Sequence, residues 1–212
     1  MVVTEFALIE LKPDTDNAEF ENLVRESIEV QDRWVRENQP RLLQDKPYKN
    51  LSTFFLERKP DSLTLLITAP WDSPEGHQAW IQSEDNQVIF GKLGEHLTDE
   101  SGSAIVYHMD PAGEESELRG DLFAQEAPFK LCKLSVNPSQ QEEVQEKYWA
   151  LEAQAKEANP SSRVWAGWRI EKDDDARDLN IFWNHDVLDG LLDDLLSTPD
   201  SEHEILQFAN VE

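Results

Sequence analysis

Sulfhydryl chemistry is almost absent: the 212-residue sequence holds one cysteine, Cys132, so no internal disulfide can form, which agrees with a reducing compartment. Basic residues are also scarce, 19 Lys and Arg against 44 Asp and Glu, for a net charge of −25. Phosphate backbones are held by a concentrated basic face, so this balance argues against a nucleic-acid partner. No apolar run approaches the ~18 residues of a membrane span, and the opening Met1-Val2-Val3-Thr4-Glu5 lacks the basic stretch of a secretory signal. A cytoplasmic protein with no membrane or nucleic-acid partner is expected. Five scattered His and one Cys form no ligand cluster, and no Gly-rich loop follows a strand, so neither metal nor cofactor is expected. Aromatics, by contrast, are plentiful: seven Trp and nine Phe can fill a core despite 30% charged residues.

From Thr4 to Leu11, Phe6 and Leu8 share one face and Ala7, Ile9 and Leu11 the other, the pattern of a strand covered on both sides. After Pro13, Asp16-Asn17-Ala18-Glu19 has the spacing of an N-cap followed by an acid. The helix it opens carries Phe20, Leu23, Val24, Ile28 and Val35 on one stripe, with Gln31 as the one polar break. Leu51–Glu57 and Leu63–Trp71 read as a hairpin around Arg58–Ser62. Ser73-Pro74-Glu75 is a helix start, Ser capping and Pro at the first position, for a helix through Ser83 and a second from Asn86 to Leu97. Ser103–Met109 supplies a fourth strand.

Pro111–Pro128, with two Gly among many acids, reads as a solvated linker. Beyond it come a strand Phe129–Val136, a capping box Ser139–Glu142 opening a helix through Val144, Tyr148, Leu151 and Ala155, and a hairpin Val164–Ile170 with Leu179–Trp183 around the acidic turn Glu171–Asp175. A helix Asp186–Leu196 and a strand Ile205–Val211 close the chain. The order repeats. Pro13 and Pro138 lie 125 residues apart, and that offset superposes Ala7, Ile9 and Leu11 on Cys132, Leu134 and Val136. The expectation is an α+β protein of two βαββαβ repeats, residues 1–110 and 129–212 joined by an acidic linker 111–128. The bare sheet faces would be buried against each other as an internal pseudo-dimer.

The stretch Leu65-Leu66-Ile67-Thr68-Ala69-Pro70-Trp71-Asp72-Ser73-Pro74-Glu75-Gly76-His77-Gln78-Ala79-Trp80, together with that order, resembles the dimeric α/β-barrel superfamily of antibiotic-biosynthesis-monooxygenase-like proteins. The resemblance implies two ferredoxin-like repeats packed as one barrel, here in a tandem single-chain form similar to fungal members. It also implies one of several activities: cofactor-free monooxygenases, polyketide cyclases, haem-degrading enzymes and stress-response proteins. Fold alone does not choose among these. The haem-degrading branch relies on an Asn in the first strand, and Val2–Leu11 contains none. A cyclase would need a His and a Tyr facing one pocket, for which Tyr107, His108 and His77 are the candidates.

His77 falls one turn after the Ser73 cap with Trp80 three residues on, and a His beside aromatics suits a general base drawing a proton from a phenol or an activated carbon. The plainer reading is a surface His bonded to a carbonyl or an acid. Trp71, Trp80, Trp165 and Trp183, with His108 and His185, are candidates to line a pocket for a flat aromatic ligand, although packing alone explains many Trp. Lys133, mid-strand, would need a carboxylate such as Glu10 if it were buried, and more often such a Lys reaches an edge. The leading expectation is a cofactor-independent monooxygenase or cyclase of secondary metabolism, with His77 and Tyr107 catalytic, acting on an aromatic or polyketide-like molecule. The rival is a non-catalytic ligand-binding or stress-response protein. The chain would be a monomer with an internal pseudo-dimer, further homodimerisation being open.

Overall fold

The computed structural model describes residues 2–15, 17–43, 52–98, 104–113, 128–159, 163–171, 175–184 and 190–210. The chain is α+β and divides into two compact units, Met1–His108 with Ala209–Glu212, and Met109–Phe208.

In the N-terminal unit β1 (Val3–Leu11) is followed by the 22-residue helix α1 (Asn17–Asn38). Two strands come next, β2 (Thr53–Lys59) and β3 (Ser62–Thr68). They form a tighter hairpin than the sequence suggests: Lys59 pairs with Ser62, so only Pro60 and Asp61 make the turn. The chain breaks at Ala69 and resumes as β4 (Pro70–Trp71), a two-residue strand paired with Val3 and Thr4. Helices α2 (Pro74–Ile81) and α3 (Glu84–Gly94) follow, then β5 (Ala104–Pro111). Ser83 does not end α2, as the sequence implied. It caps α3, its hydroxyl accepting from Asn86 N–H at 3.1 Å. β1 lies between β3 and β5, and β2 pairs with β3 on the outside. Residues Ala209 and Asn210 pair with Leu56 and Phe55 of β2.

The alternation of β1 is observed as expected. Ala7, Ile9 and Leu11 pack under α1 with Phe20, Leu23 and Val24, while Phe6 is buried on the opposite face. Each such side chain removed from water contributes roughly 1.5–3 kcal/mol before ordering costs. Asp16, the expected cap of α1, and residues 101–103 at the expected start of β5 lie outside the described residues.

The C-terminal unit contains β6 (Phe129–Val136), α4 (Gln141–Ala158), β7 (Val164–Arg169), β8 (Arg177–Trp183), the short α5 (Asp193–Leu196) and β9 (Glu202–Asn210). Its strands run β9-β6-β8-β7, all antiparallel. Cys132, Leu134 and Val136 face α4, where Val144, Tyr148, Leu151 and Ala155 bury against them. Three local expectations are corrected. The helix entry starts earlier, in a 3-10 turn Pro138–Gln140 where Gln140 Oε1 accepts from Asn137 N–H at 3.1 Å, because Pro138 already fixes a helical φ. The helix expected over 186–196 is four residues long in the described part, and residues 190–192 form a turn and bend with Gly190 at its head. β5 runs on to Pro111, which pairs with Gly167, and Ala112 is buried, so the chain leaves the sheet later than the acidic composition suggested. Residues 114–127 of that segment lie outside the described residues. Lys133 bonds Glu204 across the strand pair at 3.3 Å, not Glu10.

Candidate functional site

The N-terminal unit holds a cavity of about 400 Å³ between its sheet and its helices. β1 contributes Glu5, Ala7 and Ile9, the hairpin Phe54 and Ile67, and α1 Ser27 and Gln31; α2 and α3 add His77, Trp80, Ile81, Ile89, Phe90 and Leu93. Phe90 and Val106, 51% and 50% exposed, are large apolar side chains left open on its wall. Such a mostly apolar space with a few polar groups is the usual form of a small-molecule site.

The polar wall side chains are Glu5, Ser27, Gln31, His77, Asn86 and Gln87, and His77 is seated by the start of α2. Ser73 caps α2 with its hydroxyl accepting from Gly76 N–H at 3.1 Å, and Pro74 fixes the first turn. Glu75 in that turn has its carboxyl held below the ordinary range, chiefly by a hydrogen bond from its own backbone N–H and then by the Ser73 hydroxyl. At Gly76 the Asp72 carboxylate and the Gln39 amide approach so closely that a Cβ there would displace both side chains. Gln39 in turn accepts from Asp72 N–H at 3.1 Å, tying the end of α1 to the entry of α2. The result is that His77 enters the interior on the first turn of α2, only 3% exposed.

Both ring nitrogens of His77 are engaged. Nδ1 lies 2.9 Å from Nε2 of His108, and Nε2 lies 3.5 Å from Oε2 of Glu5. Glu5 is 6% exposed, and the same Oε2 accepts from the Trp71 indole N–H at 2.9 Å. Trp71 stacks on His77, ring centroids 4.6 Å apart and planes within 13°. The backbone fixes this register: Glu5 N–H donates to Ala69 C=O at 2.8 Å, and Trp71 pairs with Val3. Behind the stack, Trp34 of α1 packs against Trp71 and Trp80. A carboxylate buried to this degree needs such donors to offset lost hydration.

Of the residues expected in the site, His77 and Trp80 are on the cavity wall, and Trp71 backs His77 instead of lining the space. His108 reaches His77. Tyr107 does not join them. Its ring stacks on Phe6 at 4.6 Å, and because successive strand residues alternate, it faces away from the side on which Val106 meets the cavity. In the C-terminal unit Trp165 packs against Phe182 and Trp183 is buried in that unit's own core, while His185 lies outside the described residues. Glu5 and Gln31 are polar wall residues that the sequence did not single out as site candidates. Among the described residues, no group of three or more His, Cys, Asp or Glu is arranged to hold a metal.

No protein-family model matches the chain, and no curated protein is significantly similar in sequence. Solved structures do match. A candidate monooxygenase from Fusobacterium nucleatum aligns over 100% of this chain and 93% of its own, with TM-score 0.62 and 9% identity. An anthrone oxidase-like protein aligns over 100% and 92%, with TM-score 0.58 and 12% identity. A candidate monooxygenase from Lactobacillus acidophilus aligns over 100% and 94%, with TM-score 0.56 and 8% identity. At such identities the likeness is one of fold. The chain shares the α+β fold of these monooxygenase-like proteins along its whole length.

Proposed function

We propose that the protein is a cofactor-independent enzyme that acts on an aromatic or polyketide-like small molecule, as a monooxygenase or a cyclase, by removing a proton at the His77 site. The observation that carries this is the Glu5–His77–His108 network on the wall of an otherwise apolar cavity. In the tautomer in which His77 Nδ1–H donates to His108 Nε2, His77 Nε2 keeps a free lone pair beside the Glu5 carboxylate, and the two form an acid–base pair on the cavity wall. A proton accepted by that pair leaves an imidazolium between a carboxylate and an indole face, and both favour positive charge. The carbanion or enolate so formed then attacks a carbonyl of the same molecule, giving a ring, or reacts with O₂. In the second case a CH₂ group and O₂ yield a carbonyl and water. The names of the matched structures, monooxygenase and anthrone oxidase-like, support this chemistry by fold analogy only.

The same proposal includes the finer architecture. Residues 1–110 and 129–212 are two ferredoxin-like repeats joined by the acidic linker 111–128, as a single-chain member of the antibiotic-biosynthesis-monooxygenase-like superfamily. Equivalent packing of Ala7, Ile9, Leu11 and of Cys132, Leu134, Val136 against helices supports it. The protein would act in the cytoplasm.

The rival reading is a binding protein, favoured by the fact that both His77 nitrogens already have partners, as in a purely structural His. The two are separated by following O₂ uptake and product formation with a panel of fused-ring phenols and ketones. Turnover that disappears in His77→Ala supports the enzyme; ligands that bind without ever being converted support the binding protein.

A further inference from the structure

We infer that Gln31 is a ligand-binding residue whose side-chain amide donates a hydrogen bond to an oxygen of the molecule that occupies the cavity. Gln31 interrupts the apolar stripe of α1, where Leu23, Val24 and Val35 are buried against neighbours. It forms part of the cavity wall, is only 5% exposed, and its Nε2 is buried without a hydrogen-bond partner. Buried donors are rarely left unmade, and one on a cavity wall is a group awaiting a partner.

None of the wall's acceptor-bearing side chains, Glu5, Ser27, His77, Asn86 and Gln87, is bonded to the Gln31 Nε2. Ser27, one turn earlier on α1, donates its hydroxyl to Leu23 C=O at 2.8 Å, and Ala7, Ile9, Phe54 and Ile67 on the sheet side carry no polar side-chain atom. A ligand that displaces water from the cavity pairs this donor only if it brings an acceptor oxygen. A carbonyl or phenolate on an apolar body fits, whereas a hydrocarbon leaves the amide unpaired. The donor lines the same cavity as Glu5 and His77. Gln31 is three residues before Trp34, about 4.5 Å along the helix axis, and the Trp34 ring centroid is 5.6 Å from that of Trp80 and 6.3 Å from that of Trp71. An oxygen held by Gln31 would place the adjoining carbons toward His77.

The inference uses the proposed function only so far as the cavity takes a small molecule, and needs no turnover. Its test is binding of a matched pair, the fused-ring ketone α-tetralone and the hydrocarbon tetralin, to the full-length protein, read by Trp fluorescence or by titration calorimetry. Gln31→Leu, and Gln31→Met as a second variant of similar volume, should weaken the ketone roughly ten-fold, leave tetralin unchanged, and leave the melting temperature equal or higher. Parallel changes for both probes, or a lower melting temperature with loss of tetralin, would show Gln31 to be a structural residue and overturn the assignment. If neither probe binds the unaltered protein, the small-molecule cavity fails and the assignment of Gln31 falls with it. Ketone-selective binding without turnover would instead leave Gln31 in place and count only against the enzyme.

Discussion

The two units use one sheet plan under different covers. On β1, Glu5 precedes Ala7, Ile9 and Leu11 on the helix side, and the residue 125 positions later on β6 is Lys130, before Cys132, Leu134 and Val136. A buried carboxylate in one unit thus corresponds to a half-buried cation in the other. The N-terminal unit places two helices, α2 and α3, after its hairpin and lines a cavity with them. In the C-terminal unit the corresponding described segment is a turn and the four-residue α5, and Leu192 and Leu195 join the core directly. The cavity thus arises from what covers the strands of the N-terminal unit.

The comparison is broken most decisively at His77. His77→Ala should lower turnover ~10²–10⁴-fold and, because it removes a buried ring bonded to His108 and stacked on Trp71, should also lower the melting temperature; a variant that turns over normally would return the N-terminal unit to the status of its partner. Next come the paired tryptophans. Trp71→Ala and Trp183→Ala each remove a fully buried indole and should destabilise by about 3–5 kcal/mol in denaturant titrations. Only Trp71→Ala should also impair turnover, because only it strips a donor from Glu5. Glu5→Leu should cost about 1–3 kcal/mol, since it leaves the Trp71 N–H unpaired, whereas Lys130→Leu should stay within about 0.5 kcal/mol. Equal costs would mean that the two positions are equivalent after all.

An effect absent at neutral pH lies on the alkaline side and belongs to the C-terminal unit. Burial pushes the Cys132 thiol from 9.0 up to about 12, and burial likewise raises Tyr148 well above its ordinary value. Both groups are neutral when folded and ionise first in the unfolded chain, so the stability they protect is complete below pH 9.0 and falls as pH rises toward about 12. Each contributes at most about 1.4 kcal/mol per pH unit. Chemical denaturation of Cys132→Ala at several alkaline pH values should show a shallower decline than the unaltered protein.

Much of the frame was legible because it is written in periodicity. The alternation of β1, the stripe of α1 and the Ser73-Pro74-Glu75 cap are local signals, and each is where it was expected. The candidate site was half legible. His77 stood out by its place after a cap, yet its partner His108 is 31 residues away and only the meeting of β5 with α2 brings the rings together. Tyr107 was chosen over the wrong side of a strand: its neighbour His108 has the inward phase. Glu5 carried a signal that went unused, an acid in phase with Ala7, Ile9 and Leu11 on a face that buries. Gln31 carried another, as the polar break in a buried stripe. In the described part of the segment expected as helix 186–196, residues 190–192 form a turn and bend before α5, and Gly190 is the sequence signal for it.

The stop between α2 and α3 sets the curvature of the cavity wall. A straight helix turns about 100° per residue, so Trp80, Ile81, Ile89, Phe90 and Leu93 on one uninterrupted axis would point around most of its circumference. Ending one helix at Ile81 and starting another at Glu84 resets that angle, and all five face one space. The Ser83 hydroxyl holds both sides of the reset, donating to Trp80 C=O at 2.7 Å and accepting from Asn86 N–H at 3.1 Å. That hydroxyl braces the bend that makes this segment a concave wall, so the shape of the cavity is set by the break between the helices as much as by the side chains that line it.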